Sequence, residues 1–129
     1  MILPDHEFEE IVNMAWEKIP VRFKCEMENL SVFVEARPTS EQLGRVKTKG
    51  FLLGLFEGVP KTVWGQVAAV QPSKITLFRN PILAYSRDLK DLKDTVQVVL
   101  MHEVAHYFGF NEQELFVMDR KLRKKLDDS

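Results

Sequence analysis

Leu100-Met101-His102-Glu103-Val104-Ala105-His106-Tyr107-Phe108-Gly109-Phe110-Asn111-Glu112 is the stretch on which the fold turns. Residues 102–106 match H-E-x-x-H. On a helix, positions four apart differ by only about 40°, so His102 and His106 project from one face, one turn apart. Their ring nitrogens can then reach a single Zn²⁺ at about 2.0–2.1 Å each. Glu103 lies to the side of the pair, where it can take a proton from metal-activated water without ligating the ion. Leu92, Val96, Val99, Leu100 and Val104 form an apolar stripe that anchors this helix, with the histidines at its edge. Gly109 ends the helix, because glycine accepts the positive φ of a sharp reversal. With three His and twelve Glu in 129 residues, the motif arises by chance with a probability of roughly 0.6%. Two ordinary half-buried histidines are therefore the weaker reading.

The reversal can bring Glu112 back over the histidine face as a third ligand, and three protein ligands leave zinc the open position of a catalytic site. Glu112 also suits the first turn of a following helix, where the dipole favours an acid. Glu114 is a nearby rival, although Asn111 and Glu114 have the spacing of a capping box. Leu115, Met118, Leu122 and Leu126 continue that last helix. Its basic cluster, Arg120, Lys121, Arg123, Lys124 and Lys125, complements the helix C-terminus.

Upstream, Phe8, Ile11, Val12, Ala15 and Ile19 mark an amphipathic helix, with Asp5 as N-cap and Pro20 as its stop. Leu30, Val32, Val34 and Ala36 alternate as one face of a strand that ends before Pro38. Residues 38–50 show no periodicity and read as a mobile surface loop. Phe51-Leu52-Leu53-Gly54-Leu55-Phe56 reads as a buried strand before the turn Gly58-Val59-Pro60. Lys74-Ile75-Thr76-Leu77-Phe78-Arg79 reads as another, closed by Asn80-Pro81. Residues 61–73, with Trp64 and Val67-Ala68-Ala69-Val70, fit a strand or a structured loop. Helix, strands, helix, helix is an α+β order, and no internal repeat appears.

The chain has 129 residues, 45% hydrophobic and 29% charged, enough for a single globular domain over residues 1–129. A net charge of -1 argues against nucleic-acid binding, which needs a basic surplus. One cysteine, Cys25, excludes an intrachain disulfide and multi-cysteine zinc sites; it reads as a small buried residue. No leader pattern and no apolar run of about 20 residues is visible, so membrane insertion is not expected and a cytoplasmic location is. His6 reads as a surface histidine, and Phe78 and Trp64 as core.

The extended run from His102 to Glu112 resembles the small bacterial zincin-like metallopeptidases sometimes called minimal zincins, whose motif is H-E-x-x-H-x-x-G-x-x-D. Gly54-Leu55-Phe56-Glu57-Gly58-Val59-Pro60 and Ile75-Thr76-Leu77-Phe78-Arg79-Asn80-Pro81 are similar to that family too, so the likeness spans residues 51–115. It implies a small zincin-like fold: a short twisted sheet, an active-site helix and a backing helix. It also implies metal ligands at His102, His106 and Glu112, with Glu103 as catalytic base. Glu112 departs from the pattern, which has Asp there. No third histidine follows, unlike the metzincins, and too little chain remains for the distant ligand Glu of the gluzincins.

These readings converge on a zinc-dependent peptidase acting on peptide or protein substrates. Zn²⁺ would activate water, Glu103 would be the general base, and Arg79, Tyr85 or Tyr107 would stabilise the oxyanion. The strand at 75–78 is the expected edge for an extended substrate. The alternative is a metal-binding interaction or structural module without peptidase activity.

Overall fold

A computed structural model describes residues 1–27, 29–46, 52–58 and 72–127, with the backbone alone for Glu112. Among these residues the order is α1 (Asp5–Glu17), α2 (Val21–Lys24), β1 (Leu30–Glu35), α3 (Ser40–Gly44), β2 (Gly54–Glu57), β3 (Ser73–Phe78), α4 (Arg79–Tyr85), α5 (Leu89–Tyr107) and α6 (Glu112–Asp127). The three strands form one mixed sheet in the order β1-β3-β2, with β1 parallel and β2 antiparallel to β3. This is the expected α+β architecture.

Helix α5 is the organising element, and its sequence explains why. Asp88, its N-cap, accepts from the backbone N–H of Asp91 at 2.8 Å, satisfying one of the orphan donors of the first turn. Leu92, Val96, Leu100 and Val104 then recur at helical spacing and are almost fully buried. They pack α5 against β2 and β3, while α1, α4 and α6 lie against its other sides. Phe8, Ile11, Val12 and Ala15 of α1 join the same core, with Ile75 and Leu77 of β3. Gln97 Nε2 adds a bond to the Ala15 carbonyl at 3.5 Å. Each fully buried aliphatic side chain contributes about 1.5–3 kcal/mol relative to exposure. Helix α5 is thus held along nearly its whole length.

Several sequence expectations shift. The N-cap of α1 is Pro4, not Asp5, and Asp5 opens the helix itself. The segment at 38–50 is not irregular throughout, because Thr39 and Gln42 form a reciprocal capping box that nucleates α3. Gln42 and Arg45 of that segment also bond Glu57, tying it to the end of β2. Strand β2 begins at Gly54 rather than Phe51. Asn80-Pro81 follows the end of β3, as expected, and sits in the first turn of α4, where proline's missing N–H costs nothing. Strand β3 is not an edge. It is paired on both sides, and β2 is the outer strand on its side among the described residues. Cys25 is exposed rather than buried. Phe78 is core and His6 is exposed, as expected. Of the ambiguous segment at 61–73, residues 61–71, with Trp64, lie outside the described residues, and Ser73 opens β3.

Gly54 sets how closely β2 approaches α5. A Cβ at that position would lie 2.7 Å from Val99 Cγ1 and 3.4 Å from Glu103 Cγ. Valine χ1 is stiff in a helix, so Val99 cannot turn away cheaply. Gly54→Val is expected to push β2 off α5 at a cost of about 1–3 kcal/mol, read as a lower midpoint in denaturant titration with unchanged slope.

The start of α5 also carries a pH dependence. Asp91 Oδ2 accepts from the backbone N–H of Arg87 at 2.9 Å. That bond, aided by the Arg87 side chain and opposed by burial, holds the Asp91 carboxyl below its ordinary pKa. A carboxyl depressed in the folded state stabilises above its unfolded pKa, and this is lost as pH falls through the folded value. Asp91→Asn is therefore expected to be less stable than the parent near neutral pH. The difference should vanish in acid, below the depressed value, in urea titrations at stepped pH.

Candidate metal centre

Helix α5 places His102 and His106 one turn apart with ring centroids at 4.9 Å and planes inclined by 68°. His102, Glu103 and His106 each offer a ligand atom, and these atoms lie within 4.8 Å of one another. Two nitrogens on a tetrahedral zinc ion sit about 3.3 Å apart, a spacing of the same order as that of this group. Both imidazoles are half-buried, whereas Glu103 is 7% exposed and packs against Gly54 of β2. The donor set of two imidazoles and a neighbouring carboxylate is the chemistry a divalent transition metal selects.

The C-terminal end of α5 is built as expected. Gly109 has φ 82, its N–H donates to His106 O at 3.0 Å, and the N–H of Phe110 donates to Ala105 O at 3.0 Å. These are the two bonds of a Schellman motif. The chain then turns into α6, where Asn111 and Glu114 cap each other: Glu114 N–H donates to Asn111 Oδ1 at 2.8 Å, and Asn111 N–H to Glu114 Oε1 at 3.0 Å. That capping box gives Glu114 a structural role at the start of α6. Glu112 opens α6, directly beyond the reversal, and its side chain lies outside the described residues.

Sequence reasoning missed Asp119. Its Oδ2 lies 2.8 Å from His102 Nδ1. The signal was present: Asp119 lies four residues after buried Leu115, so an acid interrupts the apolar stripe that α6 turns toward α5. Of the oxyanion candidates, Tyr107 is fully buried and its hydroxyl donates to Glu26 O at 3.4 Å. Arg79 pairs with Asp5 at 3.3 Å, and Tyr85 is half exposed at the end of α4. None of the three is placed against the histidines by these contacts.

Such a helix, with two imidazoles and an acid beside an outer strand, defines a candidate metallohydrolase centre. The family model for zincin-like metallopeptidases matches residues 27–121, and the chain belongs to that family. No individual curated protein matches the sequence. Membership implies a bound metal, and the donor set present fits one. No described helix is long and apolar enough to cross a membrane.

The reversal gives a direct test. Alanine at position 109 would have to adopt a left-handed φ, at about 1 kcal/mol. Gly109→Ala is expected to lower the thermal midpoint by a few degrees and to weaken Zn²⁺ binding measured by chelator competition. A change in stability alone would separate the turn from the metal centre.

Proposed function

We propose that this chain is a zinc-dependent peptidase whose metal is held by His102, His106 and Glu112. The observation that supports this reading most is the proximity of His102, Glu103 and His106 ligand atoms, within 4.8 Å of one another, in a member of a metallopeptidase family. A zinc ion held there supplies Lewis acidity toward water and a scissile carbonyl. Glu103 takes the proton of the attacking water and returns it to the leaving amine. Its carboxylate is largely shielded from bulk water, with the residue only 7% exposed. Glu112 supplies the third ligand from the start of α6; the carboxylate is one methylene longer than the family's Asp.

The substrate is an extended peptide that adds to β2, in place of the β3 edge expected from sequence. Among the described residues β2 pairs with β3 alone, and a Cβ on Gly54, its first residue, would lie 3.4 Å from Glu103 Cγ. A peptide strand laid along β2 would place main-chain carbonyls beside the catalytic acid, with backbone hydrogen bonds giving affinity.

Glu103→Gln preserves shape and removes the proton acceptor. The variant is expected to keep one equivalent of zinc and to lose peptide hydrolysis by about 10²–10⁴-fold, the range for a general base. Cleavage of a peptide library by the zinc-loaded protein provides the assay. Undiminished turnover in the variant would remove Glu103 from the mechanism. Tight zinc binding without any cleavage by the parent would favour the structural module.

A further inference from the structure

We infer that Asp119 is a positioning residue that fixes the tautomer and orientation of His102, so that Nε2 is presented to the metal. The inference goes beyond the ligand set and rests on the metal-binding part of the reading above.

The geometry carries it. Asp119 Oδ2 lies 2.8 Å from His102 Nδ1. An ionised carboxylate only accepts hydrogen bonds, so the ring nitrogen facing it must be the one that bears hydrogen. In a neutral imidazole this leaves Nε2 as the nitrogen with a lone pair, the form a metal requires. The carboxylate of Asp119 does not belong to the group formed by His102, Glu103 and His106 among the described residues. It meets His102 at Nδ1 from outside that group, the place of an outer partner.

The surroundings give the contact leverage. His102 and Asp119 side chains are only 29% and 33% exposed, so the bond is partly shielded from water. Asp119 comes from α6 and His102 from α5, seventeen residues apart. Leu115, 1% exposed and one turn before Asp119, anchors α6 at that level. Lys90 Nζ reaches the Leu126 carbonyl at 3.4 Å at the far end of the helix pair. Helix α6 is therefore anchored on α5 by Leu115 close to Asp119, so the carboxylate reaches His102 from a packed helix. Because the same helix begins with Glu112, α6 would contribute twice to one centre: a ligand from its first residue and an orienting carboxylate from two turns further on.

The test reads the full chain in metal-free and zinc-titrated form. At mildly alkaline pH, long-range ¹H–¹⁵N spectra of the metal-free parent should show His102 protonated at Nδ1 and bare at Nε2. Asp119→Asn and Asp119→Ala should shift His102 toward the Nε2–H form that free imidazole side chains favour. Zinc affinity by chelator competition should fall about 10–100-fold, the usual cost of losing such a partner. Asp119→Asn keeps the side-chain shape, and its metal-free thermal midpoint should stay within about 2 °C of the parent. An Nε2–H tautomer in the parent would overturn the inference, as would parental zinc affinity in Asp119→Asn. Loss of zinc with the tautomer unchanged would make Asp119 a ligand and equally overturn the positioning role. None of these readouts depends on hydrolysis, so failure of the peptidase reading would be seen separately, as an inactive parent with intact zinc binding.

Discussion

An α-helix returns to nearly the same face every four residues, and the candidate centre is built on that single constraint. His102 and His106 need no loop to bring them together; the hydrogen-bonded backbone of α5 sets their separation. What the remainder of the fold must supply is a helix that neither bends nor slides. The burial of Leu92, Val96, Leu100 and Val104 does this. Any tilt of α5 would open a gap against β2 and β3 on one side and crowd α1 on the other, and close-packed cores resist both.

Two glycines let the polypeptide approach that helix where side chains would obstruct it. At Gly54 a Cβ would lie 2.7 Å from Val99 Cγ1, so only glycine lets β2 come this close to α5 without a shift. The outer strand thereby runs close to the stretch of α5 that carries Val99 and Glu103. Gly109 does the complementary work at the helix end. Its left-handed φ closes the Schellman turn, so α6 starts within a few residues of His106 instead of leading away. One glycine thus places a strand edge beside the centre and the other places a helix start beside it.

The site was far more legible in the sequence than the sheet around it, for a physical reason. The motif, the Gly109 stop and the Asn111–Glu114 cap are local: each depends on residues within one or two turns, so spacing alone reveals them. Strand order is not local. The alternation of residues 74–79 marks a strand but does not tell whether it has one neighbour or two, and β3 is in fact central. Asn80-Pro81 marked the end of that strand but not the helix that follows, since Asn-Pro is compatible both with a turn and with the first turn of a helix. The α3 capping box was written in Thr39-Ser40-Glu41-Gln42 but was not followed by a long apolar stripe. Asp119 was hidden because its partner is on another helix. Only the packing of α6 on α5 reveals why an acid sits on an otherwise apolar face.

The acids of α6 are distinguished by their phase along that helix. Asp119 meets His102, which fixes the stripe of α6 that faces α5 near the histidines. Position 112 is seven residues earlier, two turns back and offset by only about 20°, so it belongs to the same stripe. Position 114 is rotated by about 200° from position 112, and its side chain is engaged by Asn111. Helical periodicity thus favours position 112 over 114 as the source of a third ligand, on the backbone alone. The same periodicity gives the pair its order along α6. Position 112 comes at the helix start, where the chain has just turned back from α5. Asp119 comes two turns on, 2.8 Å from His102 Nδ1.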